Sequence, residues 1–442
     1  MGTTGLIAIL VALSTPAATI SRNAGVHQDT VFENLWGTPF VWKFDDLPTE
    51  GAVPKYRLPY SGYIYPDKQG GTASALTKYD RAFNRGRFPA TAHERWDTTA
   101  FKKPTRKRGL FGLGRTVMET PNWHGHCNGW AAATIRHAEP QTSVRFNGVL
   151  FTPADIKALL AEIYIYNDLE HVAGLKHAMN AGTFHAIIAN WVGRGRHSIG
   201  MEADPSEEKW NYPVYAYASS FAKRSERLLE VKMNLAYIED SDGEYQESPH
   251  IQRYKYFHYQ LNLDGNGNIA GGSFYRDSSR IDMLWIPKRP KPSRSKGNES
   301  GNPYVSVDRV LAIWRASVSE EERKRWLVVD PTVEDRVLEV EDDFEGLVPI
   351  QQFPPQVPST ASIAGTGTNS DDEGATNDPS VPDDSSPDPE TSAVMNIGDE
   401  IPVGTTIAHM DMEDDDPVAS TPDDDLPAEE ATESGLNAPA NA

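Results

Sequence analysis

The chain has 442 residues, 24% of them charged and 38% hydrophobic, with a formal net charge of −21, which allows one large domain or two ordinary ones. Residues 341–442 hold 25 of the 63 acidic side chains and no Lys or Arg, so the preceding 340 residues carry a net charge of +4, and neither a basic nucleic-acid footprint nor a strongly acidic globular surface follows from the total. A single cysteine excludes an intramolecular disulfide and leaves the redox compartment open.

Residues 1–23 read as a secretory signal, with an apolar run from Leu6 to Leu13 followed by small residues up to Thr19, although no Lys or Arg precedes the run. A secreted or cell-surface location is therefore expected. The run is too short to span a membrane and no other stretch offers about 20 apolar residues, so no stable membrane insertion is expected. Residues 24–108 are rich in aromatics and proline (Phe32, Trp36, Phe40, Trp42, Tyr56, Tyr60, Tyr65) and read as strands and ordered loops over a larger body. The basic run from Lys102 to Arg108, before the Gly-rich link at 109–114, has the composition of a processing site that would make 24–108 a pro-region. A solvated surface loop is the simpler reading.

The catalytic core is assigned to 109–290 because the lone cysteine lies there, in Trp123-His124-Gly125-His126-Cys127-Asn128-Gly129-Trp130-Ala131-Ala132-Ala133. A thiol serves acyl transfer as its thiolate, and a helix start lowers a thiol pKa through unpaired N–H groups and the positive end of the macrodipole. Trp130 to Ile135 read as a short buried helix, with Gly125 and Gly129 leaving the sulfur approachable. The plain alternative is a small buried apolar residue. A nucleophilic cysteine also needs an imidazole and a carboxylate or amide from elsewhere in the fold.

Thr152-Pro153-Ala154-Asp155 followed by Ile156, Leu159, Leu160 and Ile163 predicts an amphipathic helix covering the core beside the cysteine helix. The apolar run from Gly182 to Val192 reads as a buried strand opened by His185. A turn at 193–196 and a second strand from His197 to Asp204 would place His185 and Asp204 at one end of a hairpin. Residues 254–288 alternate like strands around Asp264-Gly265-Asn266-Gly267-Asn268, which reads as a turn because the expected Gly and Glu of a calcium loop are missing. A basic linker at 291–302 carries the sequon Asn298-Glu299-Ser300. A C-terminal extension at 303–345 follows, with a charged helix near Ser319 to Trp326. Residues 346–442 are an acidic tail expected to be disordered.

The expected constellation is Cys127 as nucleophile, His185 as base and Asp204 as the group orienting the imidazole, with the Cys127 N–H and Asn122 or Trp123 at the oxyanion. His197 is the rival base, reading as the more exposed of the two. Glu202 is the rival carboxylate, on the same strand face as Asp204. His124 and His126 flank the nucleophile too closely to reach it and suit a wall. A zinc site of His124, His126 and Cys127 lacks the usual ligand spacing, so neither metal nor cofactor is expected.

The cysteine block resembles the nucleophile segment of the transglutaminase elicitor family. Trp210-Asn211-Tyr212-Pro213-Val214 is similar to the core of that family's elicitor peptide, and the run from Tyr259 to Pro287 to its downstream hairpin. The resemblance covers roughly residues 30–290. It implies a papain-like α+β fold with an antiparallel sheet packed on the nucleophile helix. It also implies protein-glutamine γ-glutamyltransferase chemistry on Cys127, protein substrates supplying glutamine and amine, and a secreted protein. Trp123 and Trp210, in two of the matching blocks, are the substrate-binding candidates. Arg280-Ile281-Asp282-Met283 replaces a His-Pro-Asp-Phe-type run, so any duty of that His is lost. Two other functions fit the sequence: a papain-like cysteine hydrolase, such as a protease or cell-wall amidase, and a non-catalytic elicitor-like interaction protein.

Overall fold

The long alternating segments after residue 198 build the centre of the fold, and helices before and after them bury its two faces. The computed structural model describes residues 19–20, 22–108, 114–174, 179–206, 208–293, 301–327 and 348–350. The chain opens with α1 (Arg22–Trp36), β1 (Glu50–Ala52), α2 (Ala73–Phe83) and α3 (Pro89–Ala100). Then come β2 (Lys103–Arg108), β3 (Gly114–Glu119), α4 (Cys127–Arg136), β4 (Ser143–Phe146), β5 (Val149–Phe151) and α5 (Pro153–Tyr164). β6 (Asn167–Gly174) and α6 (Ala181–Ile188) precede β7 (Ile199–Glu202), β8 (Asn211–Ser225) and β9 (Leu228–Ile238). β10 (Gln252–Leu263), β11 (Ile269–Phe274), β12 (Met283–Pro290), α7 (Val307–Ser317), α8 (Glu320–Trp326) and β13 (Val348–Ile350) complete the order.

Among the described residues the main sheet has eight strands in the order β11-β10-β9-β8-β7-β12-β6, with β1 on β8; its strand pairs are antiparallel. Strand side chains alternate between the faces. Trp285, Tyr215 and Ile238 join a core with Trp130, Leu159 and Ile313, from α4, α5 and α7. Leu284, Ile286, Val214 and Leu235 join a second core with Phe184, Ile187 and Trp191, from α6 and the turn after it, and with Phe32 of α1. Helical layers therefore cover both faces of the central strands, which is why all four β7 residues are buried. The 24–108 segment adds Tyr60, Leu76 and Tyr79 to the first core and Phe32, Leu35 and Phe44 to the second. Val310 and Trp314 of the C-terminal extension also enter the first.

α5 begins as its sequence requires. Thr152 accepts from Asp155 N at 3.3 Å, and Asp155 Oδ2 accepts from Thr152 N at 2.7 Å, a reciprocal cap with Pro153 in the first turn. All its residues are buried, so it runs through the core rather than over it. Gly129 of α4 makes this possible, since a Cβ there would lie 2.1 Å from the Ala161 carbonyl oxygen of α5. A Cβ at Gly125 would lie 2.7 Å from the Tyr65 carbonyl oxygen. Both glycines thus serve close backbone packing rather than substrate access.

Several expectations are corrected. Residues 31–70 fold mainly as the end of α1 and loops with short 3-10 turns, with β1 the one regular strand described there. The basic run forms β2, paired with β3. Residues 181–188 are helical, capped by Asn180, whose Oδ1 accepts from Gly182 N at 2.8 Å, and continue as a wide helical turn through 189–194. An apolar run this short carries no period that separates helix from strand. β7 pairs with β8 and β12, so the hairpin joining His185 to Asp204 does not form. The apolar run at 6–13, the Gly-rich link at 109–113, the sequon and the acidic tail beyond 350 lie outside the described residues.

Candidate active site

Cys127 is the first residue of α4 and only 6% exposed. α4 lies against β7, β8 and β12, and those strands supply the thiol's surroundings. Sγ donates to the Lys209 carbonyl at 3.5 Å and accepts from Asn211 Nδ2 at 3.7 Å. Asn211 is oriented in turn by Trp285 Nε1, which donates to its Oδ1 at 3.0 Å. The backbone N–H groups of Asn211 and Asn128 also point at the sulfur. Glu202, at the end of β7, is buried and acts electrostatically on the thiol. Its carboxylate accepts from Trp210 N at 2.9 Å, Asp204 N at 3.3 Å and Lys209 Nζ at 3.2 Å. Lys209 Nζ also bonds Asp282 Oδ2 at 2.8 Å.

Burial pushes the Cys127 thiol above its ordinary range, and Glu202 adds to this. The Asn211 and Asn128 donors oppose it without prevailing. In this arrangement the sulfur is a neutral thiol near pH 7, not the thiolate expected from a helix start. Burial likewise pushes the Glu202 carboxyl up, against the hydrogen bonds it receives.

The expected base is elsewhere. His185 lies on α6 in the second core, its Nδ1 2.7 Å from the Tyr259 hydroxyl and its ring stacked on Phe44 at 5.4 Å. Burial lowers its pKa to about 4. His197 is fully buried rather than exposed, against the rings of Trp36 at 5.5 Å and Trp191 at 6.3 Å. Asp204 lies beyond the end of β7, where its Oδ1 accepts from Ser206 N at 2.8 Å and is held low by that bond. Strand alternation therefore does not extend to it, and Glu202 is the carboxylate whose charge acts on the sulfur. Trp210 sits between the two residues that contact Sγ, half-buried, its Nε1 donating to Glu208 at 3.2 Å. Trp123 belongs to a separate neighbourhood, with the Lys103 ammonium 5.3 Å above its ring and Phe101 6.2 Å away. Asn122 Oδ1 accepts from Lys68 Nζ at 2.8 Å. His124 stacks on Phe101 at 3.9 Å. His126 points away from the sulfur into buried carboxylates that are able, with it, to hold a metal ion: Asp67 and Glu94. Sequence reasoning missed Lys209, Asn211 and Trp285. Trp210-Asn211 was visible as a block, but nothing local showed that its amide meets the cysteine.

Together these elements define a class: an α+β protein in which a lone cysteine heads a helix laid against an antiparallel sheet. Residues 114–175 and 218–316 match the family model described as Transglutaminase elicitor, and in those segments the chain is similar to that family. Residues 176–217, with His185, Glu202, Asp204 and Trp210, fall between the matched segments. The fold is similar to that of the GP42 transglutaminase from Phytophthora sojae, with a TM-score of 0.53 and 22% identity over 68% of this chain and 100% of that one. No curated protein matches the chain in sequence.

Proposed function

We propose that the chain is a secreted transglutaminase-type cysteine acyltransferase, and that the arrangement seen is its covered resting form. The observation that carries this is the seating of Cys127. The sulfur stands at a helix N-terminus with backbone N–H groups aimed at it, an amide from Asn211 fixed by Trp285, and the charge of the buried Glu202 carboxylate acting on it. In this reading the segment bearing Lys209 moves off and a glutamine carboxamide takes its place. Glu202 accepts the thiol proton, standing where the sequence reading placed an imidazole. The sulfur attacks the carboxamide carbon, and the N–H groups at the start of α4 hold the oxyanion. The C–N bond breaks, ammonia leaves carrying the proton, and a lysine amine attacks the thioester to give an isopeptide and restore the thiol.

Incorporation of a fluorescent amine into casein tests the proposal. The full chain should label casein and Cys127→Ala should not, while His185→Gln should retain activity. No labelling by the wild type, with or without calcium and between pH 6 and 9, would sink it. A second reading has its own support in the buried, uncharged thiol: a non-catalytic elicitor-like module that binds partners through the half-exposed Trp210 segment. Slow, ordinary thiol alkylation together with absent transfer and absent peptide hydrolysis would favour that reading.

A further inference from the structure

Directly behind the nucleophile lies a group of ionisable side chains with no part in acyl transfer. Asp67, Glu94, His126 and Glu162 are all at least nine-tenths buried and come from four separate stretches of chain: the turn after Pro66, α3, the residue before α4, and α5. Single ligand atoms of Asp67, Glu94 and His126 lie within 4.8 Å of one another. The backbone locks two of the stretches together, with Asp67 N donating to His124 O at 3.0 Å and His126 N to Ile64 O at 3.0 Å.

Two features distinguish this group from a satisfied ion-pair network. Glu94 Oε1 is fully buried and has no hydrogen-bond partner, an arrangement that costs stability unless something occupies the space. That oxygen and Asp67 Oδ1 flank a hollow kept by Gly71: a Cβ on Gly71 would lie 2.4 Å from the first and 3.3 Å from the second. The imidazole has carboxylates on both of its nitrogens, and a cation bound there would take the place of a ring proton. Its Nδ1 lies 3.2 Å from Asp67 Oδ1, close to the ~3.4 Å between neighbouring donors in a tetrahedral site with bonds of about 2.1 Å. Its Nε2 is 2.9 Å from Glu162 Oε2, which Thr72 Oγ1 steadies at 2.8 Å, and 3.7 Å from Glu94 Oε2. A carboxylate on the far nitrogen is the usual support of a metal-bound histidine.

We propose that Asp67, Glu94 and His126 form a buried site for a divalent cation of the Zn2+ or Mn2+ kind, supported by Glu162. An imidazole with carboxylates and no sulfur favours these ions over Ca2+, which takes oxygen donors. Bound there, the ion fixes the residue adjoining Cys127 and hence the start of α4. The assignment stands apart from the proposed activity, because its readouts are binding and stability.

The full chain, stripped with chelator and dialysed against Zn2+ or Mn2+, should retain about one equivalent and melt at a higher temperature. X-ray absorption on the loaded wild type should show one nitrogen and oxygen neighbours without sulfur. Glu94→Gln, close in shape to the wild type, should weaken binding at least about tenfold, as should His126→Gln. Failure of the wild type to retain a stoichiometric ion overturns the assignment. So does a sulfur neighbour, unchanged affinity in Glu94→Gln, or Ca2+ competing as well as Zn2+.

Discussion

His185 provides a test that separates a structural imidazole from a catalytic one. Its ring is 2% exposed, bonded to Tyr259 and stacked on Phe44, and burial brings its pKa from 6.5 to about 4. A histidine with a depressed native pKa binds its proton more readily when unfolded, so it destabilises the fold as pH falls below about 6.5, and the loss levels off below about 4. With those two pKa values the linkage amounts to about 2 kcal/mol at pH 5 and about 3 kcal/mol at pH 4. His185→Gln keeps a polar partner for Tyr259 and removes the titration. Urea unfolding of wild type and variant at pH 7 and pH 5 should show the variant losing about 2 kcal/mol less over that interval. Equal losses in the two proteins would refute the reasoning. Loss of amine incorporation in a folded His185→Gln would return the imidazole to the catalytic machinery.

Other consequences follow from the same contacts. Glu202→Gln removes a charge that raises the Cys127 pKa and Asn211→Ala removes a donor that lowers it, so the pH midpoint of iodoacetamide alkylation should fall in the first and rise in the second. Gly129→Ala drives a Cβ to 2.1 Å from the Ala161 carbonyl oxygen, and urea unfolding should register a loss of about 3 kcal/mol or more. Thr152→Ala breaks the reciprocal cap of α5 and should cost about 1 kcal/mol in the same assay.

What could be read from the sequence was what local chemistry determines. The cap at Thr152 marked the start of α5, because a cap is written in a few consecutive residues, and the charged run near Ser319 to Trp326 marked α8. The strands between 254 and 288 were legible through their alternation, and the turn around Asp264 through its short polar side chains. The run at 182–189 was not, because it is short and mostly apolar, so neither period stands out, and Asn180 as cap decided it as helix. The thiol's environment was hidden for another reason. Glu202, Asn211 and Trp285 come from the three strands β7, β8 and β12, and their meeting at Cys127 follows from sheet order, not from spacing along the chain. The carboxylates around His126 are still further dispersed, so a search for ligand spacing beside the cysteine could not find them.

The covering of the sulfur links access to activation. Lys209 holds the thiol through its carbonyl and ties the same segment down through an ammonium shared between Glu202 and Asp282. Lifting it would free the S–H from its acceptor, admit water to a carboxylate and a thiol whose pKa values burial has raised, and open room for a carboxamide. One movement would then make the nucleophile both reachable and easier to ionise. Lys209 is 43% exposed in its side chain and Asp282 35%, so solvent screening limits the clamp to about 1 kcal/mol. Removing it with Lys209→Met should therefore raise the rate of Cys127 alkylation about fivefold at a fixed pH, since opening precedes reaction. Amine incorporation should rise with it. An unchanged alkylation rate in a folded Lys209→Met protein would show that the ammonium does not restrain the cover and that the thiol is closed off by the packing of α4 alone.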